Sequence, residues 1–138
     1  MKISIFGLGY IGSVTGAAFA SDGHEVIGVD ANPDKVALVN AGRRPVVEPG
    51  LDAMLGKAVA DGAFRATMDV KEAVTNSDVS LICVGTPSQR NGSLNLEYLE
   101  RVTQQIGEAI AEVDRYHVVI VRSTVLPGTT HGMVIPTL

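Results

Sequence analysis

Three glycines near the start of the chain have the spacing of a phosphate-binding loop. Gly7, Gly9 and Gly12 follow the apolar run Ile3–Phe6 and open the helix-like stretch Tyr10–Ser21. In such a strand–loop–helix unit the first glycine permits a tight turn, the second lets the backbone approach a pyrophosphate, and the third lets the helix pack closely on the strand. The free amides and the dipole at the helix start favour a negative ligand. The spacing therefore predicts a diphosphate site, against the alternative of a glycine-rich turn that binds nothing.

An acidic residue follows at the position where a ribose would lie. Asp30 ends the second predicted strand, 18 residues after Gly12. A carboxylate at this place accepts hydrogen bonds from ribose hydroxyls and repels a 2′-phosphate, which favours NAD over NADP. Lys35 lies in the first turn of the next helix, and its spacing leaves two roles open: a contact with the ribose edge, or a solvated helix lysine. The alternative for Asp30 is a surface carboxylate beside a turn.

Two loops with hydroxyl side chains follow the later strands. Gly85–Ser88 comes after the strand that ends near Val84, and Arg122–Thr129 comes after the last strand. Since ligands of open parallel sheets bind beyond the carboxyl ends of the strands, Thr86 and Thr124 are candidates for contacts with the ribose or nicotinamide side of a dinucleotide. A proline-directed turn is the alternative for Thr86, and a helix cap is the alternative for Thr124.

The order of the predicted elements indicates how these residues come together. The predicted strands are Ile3–Phe6, Glu25–Val29, Phe64–Thr67, Asp78–Val84 and His117–Val121. The predicted helices begin at Tyr10, Asn32, Pro49, Asp69, Asn95 and Pro127. Apolar strands that alternate with helices indicate a parallel sheet covered on both sides, and right-handed crossovers make it doubly wound. We therefore expect a single α/β domain of the Rossmann type over residues 1–138, with strand order 3-2-1-4-5 and a ligand crevice between strands 1 and 4.

The composition disfavours several other classes of protein. The chain has 138 residues, 11 basic against 15 acidic side chains and a formal net charge of -4, which argues against nucleic acid or an anionic membrane surface as a partner. No apolar run approaches the ~18 residues of a membrane span, and the N-terminus lacks the pattern of a signal peptide. One cysteine excludes a disulfide framework and a multi-cysteine metal site. We expect a cytoplasmic protein without a bound metal.

Other reactive side chains are assigned to structural roles. Cys83 lies inside an apolar strand, where a free cysteine behaves as a small buried hydrophobe rather than as a reactive thiol. Glu48 is predicted to cap the helix that follows it rather than to act as a catalytic base. The histidines, which fit no common ligand pattern, are His24, His117 and His131.

Four motifs resemble, in order along the chain, those of the UDP-glucose/GDP-mannose 6-dehydrogenase family. They are Gly7–Gly12, Val47–Leu51, Cys83–Pro87 and Val121–Thr129. The resemblance covers the whole chain, and the four motifs together are far more specific than the glycine loop alone. The runs Pro45–Leu51 and Arg122–Thr129 are more similar to the GDP-mannose members than to the UDP-glucose members.

The resemblance implies a reaction. Members of this family oxidise the C6 alcohol of a nucleotide sugar to a carboxylate, using two NAD molecules and a covalent intermediate on a cysteine. For this chain it implies oxidation of GDP-mannose to GDP-mannuronate, a precursor of polysaccharides such as alginate, by an enzyme that is a homo-oligomer at full length. The UDP-glucose reaction is the alternative within the family.

The resemblance also implies which residues contact NAD. The positions that match the family's NAD-contacting residues are Tyr10, Ile11, Asp30, Lys35, Thr86 and Thr124. Thr124 also matches a threonine with a supporting catalytic role near the reacting carbon. The family's nucleophilic cysteine has no match, since Cys83 does not correspond to it. We therefore expect the NAD-binding domain of a larger dehydrogenase, truncated before the last strand or strands and inactive alone.

Two interpretations outside this enzyme activity stay open at this point. A free-standing NAD-binding or sensor domain without catalysis is compatible with every residue named above. A different NAD oxidoreductase, such as a hydroxy-acid dehydrogenase, shares the glycine loop but does not account for the run Ser123–Thr129.

Overall fold

A parallel sheet of five strands forms the centre of the molecule. The computed structural model describes all 138 residues. The strands are β1 (Lys2–Phe6), β2 (Glu25–Val29), β3 (Phe64–Thr67), β4 (Val79–Ile82) and β5 (Val118–Val121). Every neighbouring pair is parallel, and the order across the sheet is β3-β2-β1-β4-β5. Both the doubly wound fold and the strand order predicted from the sequence are confirmed.

Helices cover both faces of this sheet. They are α1 (Tyr10–Ser21), α2 (Pro33–Asn40), α3 (Leu51–Ala60), α4 (Val70–Thr75), α5 (Glu97–Ile110) and, after a π-helical turn at Thr130–Val134, α6 (Ile135–Thr137). Side-chain caps set two of the helix starts: Asn32 accepts a hydrogen bond from the backbone N–H of Asp34, and Asp69 accepts one from that of Glu72. None of the helices combines the length and the apolar character that crossing a membrane requires.

Two apolar layers, one on each face of the sheet, hold the helices in place. On one face α1 and α3 pack against the strands through a buried cluster that includes Ile5 and Phe64. On the other face α4 and α5 pack through a cluster that includes Phe6, Ile82 and Ile106. Because successive residues of a strand point to opposite faces, Ile5 packs into the first layer and Phe6 into the second. The central strand β1 is therefore buried on both sides, and the loop that follows it has a rigid base.

Glycines bring helix α1 close to the sheet. A Cβ atom on Gly16 of α1 would lie 2.9 Å from the ring of Phe64, and one on Gly28 of β2 would lie 2.7 Å from the side chain of Leu8. These distances leave no room for a methyl group, so the small residues let the larger side chains fill the space. Small residues recur at every fourth position of α1, as Gly12, Gly16 and Ala20, and this spacing predicts a narrow helix face that lies close to the sheet.

Two elements near the end of the chain differ from the expectations. The apolar run His117–Val121 predicts a buried strand, whereas no residue of β5 is fully buried and Ile120 is 45% exposed. β5 lies at the edge that the predicted strand order gives it, with only β4 beside it. The predicted helix start at Pro127 is wrong, because Gly128 has a φ angle of +91°, which breaks a helix at that point. Helical structure begins only at Thr130. An apolar run predicts a strand, but it does not show whether that strand will have a neighbouring strand on both sides.

Candidate cofactor site

A cavity of about 700 Å³ opens at the carboxyl edge of the sheet. Residues from three strand ends line it: Gly7 and Gly9 after β1, Asp30 after β2, and Gly85 after β4. β1 and β4 are neighbours in the sheet although they are far apart in sequence, so the strand order reverses here. A crevice at such a reversal is where ligands of doubly wound sheets bind. The cavity lies at the place that the predicted topology assigns to it.

The three glycines of the first loop have separate structural roles. Gly7 has a φ angle of +101°, and a Cβ atom there would lie 2.9 Å from the carbonyl oxygen of Cys83. A Cβ atom on Gly12 would lie 1.9 Å from the carbonyl oxygen of Gly7. By contrast, no atom lies within 4 Å of the position that a Cβ of Gly9 would take. The fold itself therefore requires Gly7 and Gly12, whereas Gly9 leaves open space beside the cavity.

The Asp30 carboxylate joins three segments around the cavity. Its Oδ2 accepts a hydrogen bond of 2.8 Å from the backbone N–H of Leu8 and lies 3.4 Å from Nζ of Lys35. Its Oδ1 accepts one of 2.9 Å from the backbone N–H of Asn32. The side chain is 13% exposed, so solvent screens this ion pair less than one at the surface. Since a carboxylate has about four acceptor positions, Asp30 keeps capacity for a hydroxyl group in the cavity.

Lys35 is part of the same wall. It lines the cavity, and its ammonium group is paired with Asp30 rather than free in solvent. The sequence leaves two roles open for Lys35, and its surroundings do not fit that of a solvated helix lysine. The Asp30–Lys35 ion pair thus places one carboxylate and one ammonium group in the wall of the cavity, next to the glycine loop.

Tyr10 and Ile11 form the first turn of α1, beside the glycine end of the cavity. Their side chains are 55% and 45% exposed and lie outside the lining of the cavity. Glu48 raises the pKa of Tyr10, first by hydrogen bonding to the phenol and then by its negative charge. Contrary to the prediction, the side chain of Glu48 does not cap α3: the N-cap is Gly50, and no side-chain bond caps this helix.

Thr86 and Thr124 are brought together beyond the ends of β4 and β5. The Thr86 hydroxyl donates a hydrogen bond of 2.6 Å to the backbone carbonyl oxygen of Thr124. The Ser123 hydroxyl donates one of 2.7 Å to the carbonyl oxygen of Val84. The helix-cap alternative for Thr124 is excluded, because the next helical residue is Thr130. The two loops thus form one hydrogen-bonded unit next to the cavity.

The far wall of the cavity contains residues that the sequence did not reveal as site residues. Tyr98, Arg101 and Gln105 of helix α5 line it, together with Met68 and Val70 from the segment after β3. The amphipathic pattern of α5 predicts Arg101 and Gln105 on a solvent-facing side, and both are indeed exposed. No local signal marks that side as the border of a cavity, because the border exists only where α5 passes the ends of β2 and β4.

Cys83 lines the cavity but has the properties of a structural residue. Only 9% of it is exposed, and burial raises the pKa of its thiol to about 11, although the positive charge of Arg122 acts in the opposite direction. At neutral pH the group is therefore a thiol rather than a nucleophilic thiolate. This agrees with the structural role predicted for Cys83.

These features fit a dinucleotide. The open space beside Gly9 and Gly85 leaves room for a diphosphate at the start of α1, where free amides and the helix dipole favour negative charge. Asp30 supplies an acceptor for ribose hydroxyls, and the far wall offers apolar surface for a base. The fold and the site together define a dinucleotide-binding domain of the Rossmann type.

The chain belongs to the UDP-glucose/GDP-mannose dehydrogenase family, because the family model for its NAD binding domain matches residues 1–138. The dinucleotide is accordingly NAD. The GDP-mannose 6-dehydrogenase of Pseudomonas putida is 54% identical over 138 residues. These residues are 100% of this chain and 32% of that enzyme, so the chain spans about a third of the length of this curated relative.

Solved structures are similar over the same region. A ternary complex of GDP-mannose dehydrogenase from Pseudomonas aeruginosa superposes with a TM-score of 0.98 at 54% identity, over 99% of this chain and 31% of that chain. A UDP-glucose dehydrogenase from the archaeon Pyrobaculum islandicum superposes with a TM-score of 0.94 at 42% identity, over 99% of this chain and 32% of that chain. The fold is thus shared across the family, while the sequence is more similar to the GDP-mannose member.

Proposed function

We propose that residues 1–138 are the NAD-binding domain of a dehydrogenase that oxidises the C6 alcohol of GDP-mannose to a carboxylate. The observation that carries the sugar-nucleotide assignment is the difference in identity over the whole chain, 54% to a GDP-mannose enzyme against 42% to a UDP-glucose enzyme. The runs Pro45–Leu51 and Arg122–Thr129, which resemble the GDP-mannose members more closely, support the same assignment. UDP-glucose is the competing substrate within the family.

The proposed contacts with NAD divide into two regions. At the diphosphate and adenosine end, the backbone of the glycine loop with Tyr10 and Ile11 binds the phosphates, while Asp30 and Lys35 bind the ribose. The ion pair between these two side chains supports this division, because it fixes the carboxylate beside the cavity. A 2′-phosphate would bring negative charge against Asp30, so the site favours NAD over NADP.

At the nicotinamide end, we assign Thr86 and Thr124. Thr86 has used its proton in the bond to Thr124, so its oxygen is left to accept a hydrogen bond from a ribose hydroxyl. Thr124 is exposed, and its hydroxyl is available for a supporting role beside the reacting carbon. When bound, NAD supplies the acceptor for the hydride that leaves the sugar.

Residues 1–138 alone are expected to bind NAD without turning over a sugar nucleotide. The family resemblance implies a covalent intermediate on cysteine, and the single cysteine of this chain is a buried thiol with a pKa of about 11. A nucleophile of that kind is almost entirely protonated at neutral pH. Formation of NADH from GDP-mannose by the 138-residue chain would contradict this assignment of Cys83.

The substrate is tested on the full product of the gene, including any segments it encodes beyond Leu138. NADH formation is followed with GDP-mannose and with UDP-glucose at equal concentrations. We expect a higher kcat/KM for GDP-mannose and two NADH per sugar oxidised. A preference for UDP-glucose would overturn the substrate assignment, and NAD binding without oxidation of either sugar would favour the binding or sensor alternative.

We also propose that the full-length protein is a homo-oligomer. Support comes from the resemblance to the UDP-glucose/GDP-mannose 6-dehydrogenase family, which implies a homo-oligomer at full length. Light scattering coupled to size-exclusion chromatography gives the mass directly, and a monomeric mass at working concentration would contradict the proposal.

A further inference from the structure

We infer that Arg101 and Gln105 of helix α5 recognise the adenine base of NAD and give the site its preference for that base. The inference rests on the NAD binding described above and extends it to two side chains that neither the glycine loop nor the family motifs include. It follows from the order of groups along the cavity, from the unpaired state of the two side chains, and from the charge around the far end.

The cavity has two chemically different ends. Gly9 borders it at the start of α1, and Asp30 with Lys35 follows. At the other end, Met68 and Gln105 border both this cavity and a second one of about 320 Å³. The diphosphate, ribose and base of an adenine dinucleotide are linked in the same order. With the diphosphate at the glycine loop and the ribose at Asp30, the base reaches the end that Gln105 borders.

The surface at this end suits a planar base. Val29, Val70 and Val102 contribute apolar side chains to the lining, and Met68 adds a thioether that is 53% exposed. Flat apolar contacts of this kind stabilise a purine through its two faces, whereas its polar edge needs donors and acceptors. Helix α5 contributes the polar side chains of Tyr98, Arg101 and Gln105 to the lining, and the latter two carry nitrogen donors.

Both side chains are free to bind a ligand. Arg101 and Gln105 are four residues apart, so they lie on the same side of α5. Arg101 forms no ion pair and no side-chain hydrogen bond in the structure, although Glu97 and Glu100 are close to it in sequence. Gln105 forms no side-chain bond either, whereas its neighbour Gln104 donates one of 3.0 Å to Glu108. Arg101 and Gln105 therefore keep their hydrogen-bonding groups available for a ligand in the cavity.

The chemistry of the two groups matches the two parts of the base. A guanidinium group is planar and stacks on aromatic faces, so Arg101 can cover the purine ring. A carboxamide carries both a donor and an acceptor, so Gln105 can pair with the edge of adenine, which presents an amino donor next to a ring-nitrogen acceptor.

The charge around the second cavity disfavours a phosphate at this end. Its border carries Asp69, Glu108 and Glu112 against a single Lys71. With Arg101 of the adjoining cavity counted, three carboxylates face two cations, a balance that disfavours an anion and tolerates a neutral base with an amino group. The end next to Gln105 therefore suits adenine and disfavours a second phosphate group.

The test uses the 138-residue chain, titrated with NADH by fluorescence and then with AMP or cytidine monophosphate as competitors. The wild-type chain is expected to bind AMP more tightly than the cytidine nucleotide. R101M and Q105M are each expected to lower NADH affinity about five- to tenfold and to reduce the preference for AMP. The two competitors share the ribose and the phosphate, so only recognition of the base changes their ratio.

Matched variants serve as controls. Q104M makes the same chemical change one residue away on α5, and R90M removes the same charge from an exposed residue of the β4–α5 loop. Both are expected to leave NADH affinity and the AMP preference unchanged. The inference is overturned if R101M and Q105M keep wild-type affinity, or if they weaken both competitors equally. Absence of NADH binding by the wild-type chain would instead remove the cofactor assignment on which the inference rests.

Discussion

The Thr86 hydroxyl donates a hydrogen bond of 2.6 Å to the backbone carbonyl oxygen of Thr124, 38 residues further along the chain. The bond from Ser123 to the carbonyl oxygen of Val84 runs in the opposite direction between the same two loops. Because β4 and β5 are adjacent in the sheet, these two bonds fasten their following loops into one unit. The two threonines that resemble NAD-contacting residues therefore occupy fixed positions relative to each other.

Thr86→Val tests this unit. The substitution keeps the shape of the side chain and removes both the donor to Thr124 and the acceptor assigned to a ribose hydroxyl. We expect NAD affinity to fall about tenfold while the free energy of unfolding falls by less than about 1.5 kcal/mol, since Thr124 is exposed to water. Thr86→Ser, which keeps the hydroxyl, serves as the control, and calorimetric titration with NAD measures both. Wild-type affinity in the valine variant would contradict the assignment of Thr86.

Asp30→Ala combines a loss of affinity with a loss of stability. It leaves the backbone N–H of Leu8 without its 2.8 Å partner and removes the acceptor for the ribose. We expect the free energy of unfolding to fall by about 1–2 kcal/mol and NAD affinity to fall at least about tenfold. Asp34→Ala removes the same charge from an exposed position of α2 and is expected to leave NAD affinity unchanged. Equal effects of the two variants in urea unfolding and NAD titration would show that charge alone matters.

Substitutions at Gly9 and Gly12 are expected to affect different properties, NAD binding in the first case and folding stability in the second. Gly12→Ala places a methyl group 1.9 Å from the carbonyl oxygen of Gly7, so we expect a loss of at least about 1–3 kcal/mol in the free energy of unfolding. Gly9→Ala meets no atom within 4 Å, and Gly9 has an ordinary φ angle of -81°. We expect this variant to lose less than about 1 kcal/mol but to bind NAD at least about tenfold more weakly, because the methyl group stands where the diphosphate approaches.

Thermal unfolding and NAD titration of the two glycine variants distinguish the roles. A Gly9→Ala chain that is as stable as the wild type and binds NAD normally would exclude the proposed position of the diphosphate. A Gly12→Ala chain of wild-type stability would show that α1 can move away from β1 without cost.

His117 makes stability depend on pH. Its Nε2 is 2.8 Å from the Ser80 hydroxyl, and its pKa is lowered by burial and by the charge of Arg115, which outweigh the opposite effects of the Ser77 backbone and Asp78. A histidine with a lowered native pKa binds its proton more readily in the unfolded chain. The stabilisation is therefore complete above the ordinary histidine pKa of about 6.5 and is lost as the pH falls below it.

His117→Gln removes the titrating ring and keeps a polar group that can reach Ser80. We expect the free energy of unfolding of the wild type to fall more steeply than that of the variant between pH 7.5 and pH 5.5, as measured by urea unfolding at each pH. Parallel curves for the two proteins would show that other groups cause the pH dependence.

The local sequence determined the elements and the first part of the site. Alternation of β-branched runs with helical periods was enough for the strand order, because parallel strands with right-handed crossovers allow few arrangements. Gly12 and Asp30 make their contacts within one strand–loop–helix–strand unit, so their spacing along the chain was enough to single them out. The boundaries at Asn32 and Asp69 follow from side-chain caps that lie within three residues.

Only the tertiary structure decided what depends on neighbours distant in sequence. Arg101 and Gln105 have the pattern of a solvated helix face, and they border the cavity only because α5 crosses the ends of β2 and β4. The bond between Thr86 and Thr124 likewise depends on how the loops after β4 and β5 pack against each other, which no local pattern specifies. Residue types and spacing determine local conformation, whereas a site assembled from several chain segments exists only after those segments have packed together.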